Sequence, residues 1–241
     1  MKKELKVTAL LTGRGNNTLA DKNVRDILGQ PVLYYPANAG KKSSVVDDFY
    51  CSSDDEKILS AAEEIGYQRI VRPAELALPT SQHKDCILHA LGIMKDENKL
   101  PDILVVLLAN NVTVKSEWIT DCVNMMKNDM SISAVIPVYE DNDHHPLRAK
   151  SLNADGSLSM YEKNVTGKIS TNRQDLPTCY FCAHNFWVLN VKNVLSGEGG
   201  QQPWDFMGYR IFPYEIHESI DIHHEDDLFL ASNWIKANYT D

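Results

Sequence analysis

The stretch KVTALLTGRGNNTLADKNV, residues 6–24, joins a short apolar run to a polar loop that contains two glycines. The apolar half is typical of a buried strand. A glycine turn that leaves a strand lets backbone N–H groups approach phosphate oxygens, and Arg14 and Lys22 would add positive charge there. The stretch contains neither a Walker A sequence nor a dinucleotide fingerprint. Taken alone, it fits a phosphate-binding loop and an ordinary surface turn about equally well.

Strand and helix patterns alternate along the rest of the chain. Runs typical of buried strands recur at residues 46–53, 103–109 and 132–139, and helical periodicity is found at 55–66, 80–98, 116–128 and 223–238. We expect Thr80 and Ser116 to cap their helices. This alternation predicts an α/β fold with a doubly wound, mostly parallel sheet, in which ligands bind at the carboxyl ends of the strands. Residue 13 follows such an end.

The alternation stops over residues 140–215, approximately, where short strand-like runs, turns such as NADG and polar loops replace it. We interpret this segment as an inserted β-rich lobe within a single domain of residues 1–241. Such a lobe would cover the site or meet a second subunit.

Composition excludes several classes of protein. With 43% hydrophobic and 24% charged residues the chain is neither disordered nor fibrous, and its longest apolar run is too short to cross a bilayer. A net charge of −9 argues against binding to nucleic acid. No signal peptide is visible, and five dispersed cysteines do not form a disulfide framework. We therefore expect a cytoplasmic protein with free thiols.

Four groups of residues, in the same order along the chain, resemble the motifs of the acylneuraminate cytidylyltransferase family. They are Gly13–Asn17 with Lys22-Asn23 and Gly29–Pro31; Ser52–Glu56 with Arg72–Leu76; Arg173–Pro177 with Tyr180; and Asp221–His223 with Asp227-Leu228. An ordered set of four is far more specific than any one motif. The resemblance implies a nucleotidyltransferase sandwich with a dimerisation lobe, and typically a homodimer.

The resemblance also implies a reaction. Members of the family transfer a cytidylyl group from CTP to an acidic acceptor, here expected to be a 3-deoxy-ulosonic acid of the sialic or KDO kind, and release pyrophosphate. Catalysis of this kind consists mostly of positioning and charge neutralisation on the phosphates, with a divalent metal such as Mg²⁺. A catalytically silent relative that only binds a nucleotide is the alternative, and glycosyl transfer is a third possibility.

Residue roles follow from the same resemblance and from local charge. The candidates for nucleotide binding are Gly13, Arg14, Gly15, Asn16, Lys22, Asn23 and Arg72, and those for catalysis are Arg14, Lys22 and Asp221. Asp221 and His223 occupy the metal motif. The candidates for acceptor binding are Asn110, Asn111, His145, Arg148, Arg173, Gln174 and His184. Cationic and imidazole side chains in this second group would receive a carboxylate or a phosphonate.

Departures from the family motifs concentrate in the acceptor half of the site. Ala109 stands where a glutamine is usual, and His184 fills the place of a glycine. His223 replaces the second aspartate of the metal motif, and imidazole suits Mn²⁺ or Zn²⁺ better than Mg²⁺. We therefore expect an unusual acceptor and leave open Mn²⁺ as the metal.

Several of these residues also have plain structural interpretations. Asp54 and Asp55 are expected to cap the helix that follows them rather than to take part in catalysis. Arg72 stands ahead of a rigid Pro73 turn, although we expect neither it nor Lys22 in the core. Trp187 and Trp204 are expected in the core or at an interface.

Overall fold

The computed structural model describes residues 4–15 and 17–239. Its strands are β1 Val7–Thr12, β2 Asp26–Ile27, β3 Gln30–Pro31, β4 Asp48–Ser53, β5 Gln68–Val71, β6 Ile103–Leu108, β7 Ala134–Glu140, β8 Lys150–Leu152, β9 Leu158–Met160, β10 Tyr180–Cys182, β11 Phe186–Asn190 and β12 Ile211–Glu215. Its helices are α1 Tyr34–Lys42, α2 Glu56–Glu64, α3 His83–Asp96, α4 Ser116–Asn128, α5 Val191–Ser196 and α6 Glu225–Asn238.

Eight of these strands form one sheet with β1 near its middle. β1 is parallel to β4 on one side and to β6 on the other, and β5 extends the parallel half beyond β4. Beyond β6 lie antiparallel β11 and then β7, which pairs with β12 in parallel and with β10 in antiparallel orientation. The predicted α/β class is confirmed, and the sheet is fully parallel in the β6-β1-β4-β5 half.

Helices cover both faces of the sheet. Successive residues of a strand point to opposite faces, so Val7, Ala9 and Leu11 pack under α1, α2 and α4, whereas Leu10 packs towards α3. A third apolar cluster, which includes Trp234, joins α6 to Tyr35 of α1 and to Val112 in the segment after β6. No helix among the described residues is long and apolar enough to cross a membrane.

The predicted strands are found, but two predicted helix caps are wrong. α3 begins at His83 with Gln82 as its N-cap, and Thr80 lies outside the helix. α4 begins at Ser116 itself, so Lys115 is the N-cap. Asp55 does cap α2, since its side chain accepts hydrogen bonds from the N–H groups of Lys57 and Ile58.

The cap on α2 makes a testable contribution to stability. Replacing Asp55 with Ala removes an acceptor that lies 2.7 Å from the Lys57 N–H. We expect the free energy of unfolding to fall by about 1 kcal/mol. Urea denaturation measures this change, with Glu64→Ala at the exposed end of α2 as the control. An unchanged stability would mean that the carboxylate does not support the helix.

The segment 140–215 divides into two parts. Residues 141–179 leave the main sheet and contain the β8-β9 hairpin. In contrast, β10, β11 and β12 belong to the main sheet, and β11 lies between β6 and β7. The lobe is therefore narrower than the sequence suggested.

Candidate active site

A cavity of about 560 Å³ opens at the carboxyl ends of β1 and β6. From β1 the chain goes on to β4 on one side of the strand, whereas β6 lies on the other side, so this is a point where the direction of winding changes. Such a point is where open α/β sheets bind ligands. Nine of the predicted site residues line the cavity: Gly13, Arg14, Lys22, Asn23, Arg72, Asn110, His184, Asp221 and His223.

The loop after β1 is held open by its neighbours. The Gly13 N–H donates to the Ser52 carbonyl at 3.3 Å, and Asn23 Nδ2 donates to the Arg14 carbonyl at 3.1 Å. The Arg14 guanidinium reaches across the cavity mouth and donates to the Leu78 carbonyl at 3.0 Å. These contacts place a cation at the rim while its backbone is fixed from behind.

Gly15 lies just outside the cavity lining and packs against the cap of α2. Its N–H donates to Asp54 Oδ1 at 3.1 Å, and a Cβ at this position would lie 2.4 Å from Asp55 Oδ2. The glycine thus serves the close approach of loop and helix. Asn16 lies outside the described residues, and its predicted role in nucleotide binding stays a prediction.

Lys22 is one of two buried cations of the site, with 8% of its surface exposed. Its Nζ donates to the Ile222 carbonyl at 2.8 Å. Burial lowers the pKa of Lys22, while the nearby Asp221 carboxylate acts in the opposite direction. A buried ammonium that donates to a carbonyl, and not to a carboxylate, keeps its charge available for an anionic ligand.

Arg72 is also buried, and this corrects the expectation that neither cation lies in the core. Its Nη2 donates to the Ser52 carbonyl at 2.7 Å, and its Nε lies 3.2 Å from Ser52 Oγ. The guanidinium therefore fastens the segment after β5 to the end of β4. It serves a structural role and lines the cavity at the same time.

Asp221 is the only carboxylate among the described residues that line the cavity. Its Oδ1 accepts a hydrogen bond from Asn110 Nδ2, and its Oδ2 lies 2.9 Å from His223 Nε2. The His223 imidazole therefore contacts the aspartate in this arrangement. Asp227 has a different task, because its Oδ2 accepts the backbone N–H groups of His223 and His224 at the start of α6.

The cavity offers few donors for a divalent metal. Among the described residues there is no cluster of three or more His, Cys, Asp or Glu side chains that could hold a metal ion. Mg²⁺, however, is commonly held by one or two carboxylates together with substrate phosphates and water. Asp221, in a cavity that three cations also line, could hold Mg²⁺ in this way. His223, which contacts Asp221, could orient the carboxylate.

The acceptor candidates separate into two places. Asn110 and His184 line the cavity, whereas Asn111 is buried behind it and donates to the His184 carbonyl and to Ser219 Oγ, both at 2.9 Å. Asn111 also pairs with Asp221 in an isolated antiparallel bridge. It therefore holds the cavity wall in position, and no part of its side chain faces the ligand space.

The remaining four acceptor candidates lie in the lobe and do not line the central cavity. Arg173 Nη1 pairs with Asp143 Oδ2 at 2.6 Å, and Arg148 Nη1 lies 3.4 Å from the other oxygen. His145 Nδ1 accepts the Leu147 N–H at 3.1 Å, and Gln174 lines a separate surface cavity. Their predicted contact with the acceptor stays a prediction.

Three aromatic side chains that the sequence did not assign to the site form part of its wall. Trp187 and Trp204 line the cavity, as does His83. His83 Nε2 lies 3.0 Å from Thr12 Oγ1, its ring centroid is 4.9 Å from that of Trp187, and burial lowers its pKa to about 4. The position of His83 at the start of α3 could have indicated its place, because a helix that follows a parallel strand begins at the ligand-binding edge of the sheet.

A family model described as cytidylyltransferase matches residues 14–180. The chain belongs to the cytidylyltransferase family. The predicted family and the predicted enzyme class, a CTP-dependent cytidylyltransferase, are thereby confirmed. The matched range contains the loop after β1 and Arg72, whereas His184, Trp204 and Asp221 lie beyond it.

Individual relatives agree with this assignment. The pseudaminic acid cytidylyltransferase of Campylobacter jejuni subsp. jejuni serotype O:23/36 is 23% identical over 228 residues, which cover 93% of this chain and 94% of that protein. The N-acylneuraminate cytidylyltransferase of Escherichia coli O18:K1:H7 is 30% identical over 92 residues, 38% of this chain and 22% of that protein. A solved CMP:2-keto-3-deoxy-manno-octonic acid synthetase complexed with CTP shares the fold, with a TM-score of 0.70 at 13% identity over 97% of this chain and 100% of that one.

Proposed function

We propose that this cytidylyltransferase moves a cytidylyl group from CTP to a hydroxyl of a 3-deoxy-ulosonic acid and releases pyrophosphate. The observation that carries the proposal is the cavity at the ends of β1 and β6, which Arg14, Lys22 and Arg72 line together with Asp221, the one carboxylate among the described lining residues. The relatives named for pseudaminic acid and N-acylneuraminate support an acidic sugar as acceptor. Because those relatives are named as cytidylyltransferases, a catalytically silent role is not favoured.

The charges of the cavity suit a triphosphate. Arg14 would meet phosphate oxygens from the rim, and the buried ammonium of Lys22 would meet them from below, next to Asp221. An acceptor oxygen then attacks the α-phosphorus in line, and pyrophosphate leaves on the opposite side. Preorganised cations favour this step because they neutralise charge that develops on the phosphates without having to reorient.

We further propose Mg²⁺ as the cofactor, with Mn²⁺ as the alternative. Asp221 would hold the ion together with phosphate oxygens, and when bound the ion would neutralise phosphate charge and orient the triphosphate. His223 would fix the carboxylate through its 2.9 Å contact with Asp221 Oδ2. Outer partners of this kind tune metal affinity.

His223→Ala tests this supporting role. We expect the Mg²⁺ concentration for half-maximal turnover to rise by about tenfold, because Asp221 loses the partner that orients it. Metal titrations of pyrophosphate release measure the change, with the exposed His217→Ala as control. A fall in kcat at saturating Mg²⁺ without a shift of the metal curve would contradict the role.

We propose a homodimer that forms through the lobe. Leu152, Leu158 and Tyr161 on and beside the β8-β9 hairpin expose 75%, 65% and 66% of their surface, and an exposed apolar group of this kind is typical of an interface. Sedimentation of the purified chain distinguishes a dimer from a monomer. A cytoplasmic location remains a prediction.

Nucleotide selectivity tests the proposal directly. Pyrophosphate release should be seen with CTP and should be lower with ATP, GTP and UTP when an acceptor acid and Mg²⁺ are present. Equal release from all four nucleotides would point to a site that reads only the triphosphate.

A further inference from the structure

His184 stands in the cavity wall with its ring available to a ligand. Its carbonyl accepts Asn111 Nδ2 at 2.9 Å, and Asn111 pairs with Asp221, so the backbone of His184 lies on the Asp221 side of the cavity. The ring is held by edge contacts, with centroids 5.2 Å from Trp204 and 6.3 Å from Trp187. Within the described part of the chain, neither ring nitrogen makes a hydrogen bond.

Cytidylyl transfer produces a proton that some group must accept. The attacking hydroxyl loses it as the new oxygen–phosphorus bond forms. A side chain in the cavity that is unprotonated near neutral pH, and that has a nitrogen or oxygen free for the hydroxyl, would meet this need. The other titratable groups of the cavity can be compared with that requirement one by one.

Each of these groups is already engaged or unsuited. Lys22 donates a hydrogen bond to the Ile222 carbonyl and is a cation in that contact. Asp221 accepts from Asn110, and its other oxygen engages the His223 imidazole at 2.9 Å. Burial raises the pKa of the Cys86 thiol. His83 is paired with Thr12, and its pKa of about 4 makes it a weak base. His184 is left as the imidazole without such an engagement.

The surroundings of His184 favour the neutral form of its ring. Burial lowers its pKa below the ordinary value, and the charged groups that act on it are Asp221, which raises the pKa, and His223, which lowers it. Trp187 and Trp204 provide the uncharged remainder of its packing, and the Lys84–Asp205 ion pair, 3.0 Å long, flanks Trp204. A neutral imidazole can accept a proton at physiological pH.

We propose that His184 is the general base of this enzyme, an inference that rests on the proposed function. A ring nitrogen of His184 takes the proton of the attacking hydroxyl while that oxygen bonds to the α-phosphorus. The bond from the α-phosphorus to the bridging oxygen breaks, and pyrophosphate leaves with that electron pair. The imidazolium then returns its proton to solvent. Throughout the reaction the acceptor lies between Asp221 and Trp204.

The test compares wild type, His184→Gln and His184→Ala by pyrophosphate release over a range of pH. In wild type, kcat should rise with pH through a pKa below that of a free histidine and then level off, because the base is active only when unprotonated. His184→Gln should lose about 10²-fold in kcat and lose this acid limb, with unchanged CTP affinity by calorimetry. Added imidazole should restore part of the His184→Ala activity. The exposed His144→Gln serves as the matched control.

Several outcomes would overturn the inference. A His184→Gln enzyme with a wild-type kcat and pH profile would exclude a proton-accepting role, as would a higher KM for the acceptor with an unchanged kcat, which indicates packing alone. If His184→Gln does not bind CTP, the test depends on whether added imidazole restores activity to His184→Ala. The absence of such rescue would count against His184 as the general base. A wild-type enzyme that releases no pyrophosphate with any acid would instead overturn the proposed function, and this inference with it.

Discussion

Lys22→Met is expected to reduce kcat/KM for CTP by about 10²- to 10³-fold. The substitution keeps most of the length of the side chain but removes the buried ammonium, which lies below the rim cation Arg14 and beside Asp221. Charge on the phosphates would then be opposed by one cation fewer, in a place that water cannot easily compensate. Steady-state kinetics of pyrophosphate release and calorimetric CTP binding together measure the loss.

The matched control for this variant is Lys57→Met. Lys57 is an exposed lysine whose Nζ pairs with Asp21 at 2.8 Å beside the same loop, so its removal changes the net charge equally without entering the cavity. It should leave kcat/KM within about twofold, because exposed pairs contribute little. If Lys22→Met keeps wild-type kinetics while folded, Lys22 does not bind the triphosphate and the nucleotide site is misplaced.

Asp221→Asn is expected to lower Mg²⁺-supported kcat by at least about 10²-fold. The amide has the same shape, but it removes the only carboxylate among the described residues of the cavity lining. In the absence of metal the opposite effect is expected: CTP should bind more tightly, because a negative charge next to the triphosphate is gone. Titration of CTP with and without Mg²⁺ measures both effects.

The opposing signs make the Asp221 experiment specific. A purely structural role would weaken CTP binding with and without metal, and Asp226→Asn in the exposed first turn of α6 should change neither. Equal losses under both conditions would contradict a metal-holding role for Asp221.

The place of the loop after β1 at the cavity could be predicted because its residues are local in the sequence. Gly13, Arg14, Lys22 and Asn23 belong to one loop that leaves β1, and a strand followed by a glycine turn has a recognisable pattern. β6 was equally clear, since ILVVLL is a continuous apolar run of the kind that a buried parallel strand needs.

Elements with mixed composition were missed. Helix α1 contains a proline and a glycine in the sequence YYPANAGKK, which argues against a helix by local rules. Its burial against the sheet decides the outcome, and a Cβ on Gly40 would come within 2.7 Å of the Tyr67 hydroxyl. β11 was hidden because it enters the sheet from a segment of short strands and loops.

The acceptor half was predicted less well because charge alone does not tell which cations are free. Arg148 and Arg173 both pair with Asp143, thirty residues away from Arg173 in the chain. The expectation that Trp187 and Trp204 belong to the core is confirmed, since Trp187 lies in a core cluster and Trp204 packs against it. Only the three-dimensional arrangement shows that both rings also line the cavity. Long-range pairings of this kind leave no pattern in local spacing.

The most direct test of the central claim is the product of a reaction that contains the purified chain, CTP, Mg²⁺ and, one at a time, sialic, pseudaminic, legionaminic and KDO-type acids. Pyrophosphate release and the mass of the nucleotide product should be measured in the same sample. The account predicts release that requires both CTP and one of the acids, with CMP covalently joined to that acid. CTP that binds the protein but yields neither pyrophosphate nor a CMP-linked acid with any of them would contradict it.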